Sequence, residues 1–182
     1  MKFIKTAIPD VVIIEPTVFE DERGYFFESF RQDLFEKEIG KIVFLQENES
    51  KSSYGALRGL HYQLPPFAQS KLVRVIRGAV LDVVVDLRRS SPNFGRQVAI
   101  ELSAENKIQL LIPAGFAHGF LSLEENSIFH YKVDKPFHKQ SEAGIIFNDP
   151  NLNINWKINS EKILVSDKDK RLPVFRDAVL FE

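Results

Sequence analysis

Short β-type runs, each closed off by proline or glycine, follow one another along the chain with no helix between them of the length a parallel crossover requires. Val11-Val12-Ile13-Ile14 stops before Pro16, and residues 81–87 follow Gly78. Residues 71–77 alternate polar and apolar, as a half-buried strand does, whereas residues 80–87 are apolar at both parities and read as buried on both faces. These two runs are expected to pair around Gly78. One helix is expected within residues 31–39, where Leu34, Phe35 and Ile39 fall near one face and Gly40 supplies the stop. Leu152, Ile154 and Trp156 alternate as a further strand would. The pattern predicts an all-β chain, an antiparallel sandwich or jelly roll with a few short peripheral helices, organised as a single domain over residues 1–182. A hydrophobic content of 44% is enough to fill such a core.

Charge and composition remove several classes of function. The 24 basic residues nearly cancel the 25 acidic ones, so no global field draws the chain to nucleic acid or to an anionic membrane, and any anion must be met locally. With no cysteine there is no disulfide framework, thiolate metal site or cysteine nucleophile, which fits a cytoplasmic protein. Asp10 and Glu15 interrupt the N-terminal region before a signal sequence could form. The long uncharged stretch that includes residues 109–123 is broken by Pro113, Gly115 and Gly119, so no membrane span is expected.

Five segments bear on chemistry. Arg58-Gly59-Leu60-His61-Tyr62-Gln63 places a guanidinium and an imidazole on an apolar strand. Strict alternation puts Arg58 and His61 on opposite faces, so a shared site needs a bulge, for which Gly59 is the natural place. His61 taken alone reads as a hydrogen-bonded histidine in a partly buried strand, and it is the company of the other segments that points to a site. Lys71 shares its parity with Val73 and Val75. If those face the interior so does the ammonium, which then needs an anionic partner; otherwise it snorkels from the strand end. In Ser127-Ile128-Phe129-His130-Tyr131-Lys132-Val133, Phe129, Tyr131 and Val133 share one face, and Tyr131 is either a core aromatic or a site phenol. Pro113-Ala114-Gly115-Phe116-Ala117-His118-Gly119-Phe120 resembles the second half of the cupin metal motif, but the further histidines and glutamate of the first half are missing around His61, so no metal is expected. Ser166-Asp167-Lys168-Asp169 reads locally as a solvated turn.

Taken together these segments resemble the dTDP-4-dehydrorhamnose 3,5-epimerase family nearly end to end. The likeness is carried also by Phe19-Glu20-Asp21-Glu22-Arg23-Gly24-Tyr25-Phe26, Gln46-Glu47-Asn48, Val83-Val84-Val85-Asp86-Leu87-Arg88 and Asn148-Asp149-Pro150. The resemblance implies a cupin-like jelly roll, a homodimer and catalysis without metal or organic cofactor. It makes His61 the general base oriented by Asp169, Tyr131 the acid on the other face of the sugar, and Lys71 the partner of the C4 carbonyl oxygen. Arg23, Glu28, Gln46, Asn48, Arg58, His118, Glu142 and Lys168 match positions that bind the substrate, a dTDP-4-keto-6-deoxy sugar, some of them across the dimer interface. Pro136-Phe137 and Phe147 depart from the tyrosine and tryptophan that are frequent there, which bears on substrate preference.

The chemistry suits these residue types. Inverting a carbon beside a ketone means removing its proton, holding an enolate, and returning a proton to the other face. Histidine, with a reference pKa of ~6.5, is a base near neutrality, and a carboxylate fixes its tautomer. A placed ammonium stabilises the developing enolate more than the neutral ketone. A phenol with a reference pKa of ~10 is a donor at working pH. Rival readings of the same residues are an epimerase acting at one carbon, a non-catalytic cupin that binds sugar nucleotides, and a metal-dependent cupin enzyme.

Overall fold

A computed structural model describes residues 1–182. The strands in chain order are β1 (Lys2–Lys5), β2 (Val12–Glu15), β3 (Phe19–Asp21), β4 (Gly24–Phe26), β5 (Gln46–Ser52), β6 (Ala56–Gln63) and β7 (Lys71–Arg77). Then come β8 (Ala79–Asp86), β9 (Gln97–Ser103), β10 (Gln109–Ile112), β11 (Phe116–Ser122), β12 (Ser127–Val133), β13 (Glu142–Gly144) and β14 (Leu164–Val165). The single α-helix, α1 (Gln32–Glu38), buries Phe35 and ends at Gly40, whose φ of 112° suits glycine. This is the helix the apolar spacing predicts, one residue shorter at each end.

Two sheets pack face to face as a jelly roll. The first runs β1-β2-β10-β7-β12-β5 and the second β13-β6-β11-β8-β9, with β14 added in parallel beside β6; β3 and β4 form a separate hairpin. All other pairings between these strands are antiparallel. Alternation decides what each sheet offers the interior: Val73 and Val75 from β7, Val80 and Val84 from β8, Phe116 and Phe120 from β11, and Phe129 from β12 meet in one core. The outer face of the first sheet is covered by α1 through Phe35 on Val12, Ile14, Leu72 and Leu111. The C-terminal segment covers the second sheet, with Leu152, Trp156 and Ala178 against Leu60, Leu81 and Leu121.

Two expectations are corrected. β7 and β8 do not pair: β7 lies between β10 and β12, and β8 lies between β11 and β9 in the other sheet. Gly78 (φ 74°) is the corner where the chain crosses between sheets, and a Cβ there would meet Ser127 Oγ at 2.5 Å. Leu152, Ile154 and Trp156 form no strand. Their apolar side chains pack on the second sheet from irregular backbone, with the indole N–H of Trp156 donating to the Phe147 carbonyl at 2.9 Å. All eight residues of β8 are buried, as its apolar run predicts.

Candidate active site

The two sheets part at one end around a cavity of about 680 Å³. The bulge predicted at Gly59 is present. On β11, His118 and Phe120 are two residues apart and pair with His61 and Arg58, which are three apart on β6, so β6 carries one extra residue. Leu60 and Tyr62 consequently face outward into the second sheet's outer cluster, while Arg58 and His61 both line the cavity. Gly59 has φ 116°, and a Cβ on it would lie 2.6 Å from Gly119 Cα and 2.7 Å from the His118 carbonyl oxygen. No other residue type fits that approach.

β14 guides the C-terminal chain alongside β6 and into the short 3-10 turn Asp169–Arg171. Asp169 is 3% exposed, so the locally solvated reading of this turn does not hold for it. The Nε2–H of His61 donates to Asp169 Oδ1 at 2.7 Å, and the Gly59 backbone N–H donates to Oδ2 at 3.3 Å. With its proton held on Nε2, the imidazole keeps Nδ1 as the lone-pair nitrogen. Burial alone would raise Asp169, but His61, the Gly59 N–H and the Lys168 charge together hold it below the usual carboxylate range.

Across the cavity the first sheet supplies Lys71 and Tyr131. β7 and β12 place Tyr131 opposite Val73 and Val133 opposite Lys71, so Lys71 and Tyr131 are diagonal neighbours on one face. Burial pushes the Lys71 ammonium down to about 8, against the opposing pull of Asp82 and Glu142. Burial likewise raises Tyr131, partly offset by Arg58, so the phenol keeps its proton at neutral pH. His118, 7% exposed, bonds through Nε2 to Asp82 Oδ2 at 2.9 Å, and burial lowers it below the ordinary histidine value so that it is neutral. Phe120 and Phe129, stacked with centroids 4.1 Å apart, line the apolar side of the cavity. No group of three or more His, Cys, Asp or Glu side chains is arranged to hold a metal ion.

The family model described as dTDP-4-dehydrorhamnose 3,5-epimerase matches residues 5–177. A curated dTDP-4-dehydrorhamnose 3,5-epimerase from Shigella flexneri is 54% identical over 182 residues, which are 100% of this chain and 99% of that protein. The chain belongs to the dTDP-4-dehydrorhamnose 3,5-epimerase family. Among solved structures, the family member from Elizabethkingia anophelis NUHP1 superposes with a TM-score of 0.94 at 52% identity, covering 97% of each chain. A dTDP-6-deoxy-D-glucose-3,5-epimerase from Legionella pneumophila Philadelphia 1, in complex with dTDP-4-keto-L-rhamnose, gives 0.93 at 44% identity, covering 97% of this chain and 93% of its own.

Of the residues that the family likeness singles out, Arg58, His61, Lys71, His118, Tyr131, Lys168 and Asp169 line the one cavity. Gln46 and Asn48 pair with Val133 and Tyr131 on β12, so their side chains stand on the same inward face. Glu142 reaches the margin through its ion pair with Lys168 at 2.6 Å. Arg23 and Glu28 are not brought there. Arg23 lies on the β3–β4 hairpin, paired with Asp21, and Glu28 pairs with Arg31 at 3.7 Å. Asp82 stands outside the predicted set, although an acid in the middle of a run buried on both faces is itself a signal.

Proposed function

We propose that the cavity inverts carbons flanking the keto group of dTDP-4-dehydro-6-deoxy-D-glucose, at C5 and then C3, giving dTDP-4-dehydro-L-rhamnose. The observation that carries the mechanism is positional: His61 and Tyr131 come from opposing sheets and line one cavity, whose volume of about 680 Å³ admits a sugar ring between them. A proton removed from one face of the ring can therefore be replaced from the other. His61 takes the proton on Nδ1, and Asp169 stabilises the imidazolium formed. Lys71 meets the oxygen that becomes the enolate, where its charge acts most strongly in the transition state. Tyr131 returns a proton to the opposite face and is reprotonated from solvent, while the His61 imidazolium releases the proton it took to solvent, which readies both groups for the next inversion.

Arg58 and Lys168 at the mouth suit the diphosphate, with Arg58 offering a forked donor. His118, Gln46, Asn48 and Glu142 offer polar groups to the sugar and nucleotide. Arg23 and Glu28 join the site as groups supplied by a second copy in a homodimer. None of these roles calls on a metal or an organic cofactor, and the reading places the enzyme in the cytoplasm with its nucleotide-sugar substrate. Turnover in deuterated water, followed by NMR, tests the scheme: deuterium is expected at both C5 and C3. Deuterium at one carbon alone selects the narrower reaction, and none at either defeats the proposal.

A further inference from the structure

Behind the cavity wall lies a carboxylate to which none of the steps above gives a task. Asp82 sits in the middle of β8 between Val80 and Val84, both of which point into the core between the sheets. Two-residue alternation points its side chain the same way, and it is fully buried. Oδ2 accepts from His118 Nε2 at 2.9 Å, while Oδ1 is buried with no hydrogen-bond partner. A buried, half-satisfied carboxylate is destabilising, and valine would suit this strand better, so a compensating task is called for. The other sheet presents Lys71 to the same interior. The negative charges acting on Lys71 are Asp82 and then Glu142, and Glu142 is already paired with Lys168.

We infer that Asp82 is a positioning residue for the enolate-stabilising side of the site. It holds the His118 proton on Nε2, and from the opposite sheet it supplies the counter-charge that keeps Lys71 an ammonium, a role that rests on the assignment of Lys71 above. The titratable and charged groups that share the cavity with Lys71 are Glu49 on β5, Tyr131 on β12, Arg58 and His61 on β6, His118 on β11 and Lys168, Asp169 and Lys170 of the C-terminal segment, Asp169 being held by His61, while the charges that act on Lys71 are Asp82 on β8 and Glu142 on β13. The phenol and the His118 imidazole are neutral, and Arg58 can only repel. Without Asp82, the effect of burial on Lys71 is opposed by Glu142 alone, which is already engaged with Lys168, and the amine loses its proton at a lower pH than in the intact site. A neutral amine stabilises an enolate poorly. Asp82 also decides what His118 shows the substrate: with the proton on Nε2, Nδ1 is an acceptor suited to a sugar hydroxyl.

Asp82→Asn keeps shape and hydrogen-bonding capacity while removing the charge. The alkaline limb of its kcat/KM profile is expected to move down by about one pH unit, with the largest loss of rate above neutrality. His118→Asn, which leaves Asp82 in place, should lose rate while keeping the wild-type alkaline limb. A carboxylate that serves packing alone would scale the Asp82→Asn profile by one factor at every pH, and that result overturns the inference. A measurement on the unmutated fold is independent of whether the variant folds. The 13Cε titration of Lys71, assigned by comparison with Lys71→Arg, should read ammonium at pH 7, and a neutral amine there also overturns it. Wild-type enzyme that exchanges no solvent deuterium defeats the site reading itself. Exchange in the wild type with an unshifted Asp82→Asn profile defeats only the role of Asp82.

Discussion

His61 is half a base until Asp169 is counted with it. Asp169→Asn preserves the volume and an acceptor oxygen for Nε2–H, giving up only the longer bond from the Gly59 N–H, so the fold should persist while the charge that stabilises the imidazolium is lost. Steady-state kinetics should show kcat down by ~10²–10⁴ with KM little changed. Lys71 presents the opposite balance of stability and function. Its ordinary value of 10.5 is pulled down to about 8 in the fold, so below about 8 the fold bears a buried ammonium that the unfolded chain solvates freely. That penalty is relieved as pH rises from 8 towards 10.5. Lys71→Met should therefore stabilise the protein near neutrality by about 1–3 kcal/mol, cavity water screening part of the effect, with the gain vanishing above pH ~10.5. Urea unfolding at two pH values measures it, and turnover of the same variant should be lost. In the wild type, kcat/KM should fall as pH rises through about 8, where free enzyme loses the Lys71 proton.

At the scale of elements, the bulge in β6 is the device that turns a strand into a catalytic strand. Gly59→Ala would force a side chain into φ 116° and drive its Cβ against Gly119 and His118, so β6 must either shift register or open. A loss of about 2–4 kcal/mol by thermal or urea denaturation, with activity reduced well beyond the loss of folded protein, is the expected outcome. Much of this was legible in sequence, because glycine between Arg58 and His61 is a local mark of a local irregularity, and the parity of Lys71 with Val73 follows from a period of two. What was not legible is the choice of strand partners. Residues 71–77 and 79–86 look like a hairpin because adjacency in sequence favours one, but each has a second face to bury, and placing them in opposite sheets buries both. Alternation at Leu152, Ile154 and Trp156 reports burial on one side, which irregular backbone achieves here as well as a strand does. Asp169, 108 residues from His61, has no local pattern at all, and only the family likeness pointed to it.

The whole molecule leaves one part of the predicted site unassembled, and that part has a physical signature. The β3–β4 hairpin holds Arg23 among exposed aromatics: Phe19 is 62% exposed, Tyr25 59% and Phe26 67%. Large apolar rings clustered in water mark an interaction surface. The concavity that Arg23 helps to line, with Phe19, Asp21, Tyr25 and Phe26, shares no residue with the His61 cavity. If Arg23 binds substrate, it does so in the cavity of another copy, and a two-fold dimer that exchanges hairpins accounts for both facts. Complementation distinguishes this from action within one chain. His61→Ala and Arg23→Ala subunits, each nearly inactive at low substrate, are unfolded together and refolded. In a mixed dimer that exchanges hairpins, both lesions fall in one site and the other site is intact. Equal mixing should therefore restore about a quarter of wild-type activity. Were Arg23 to act within its own chain, every site in the mixed dimer would carry a lesion, and activity would stay at the level of the separate variants.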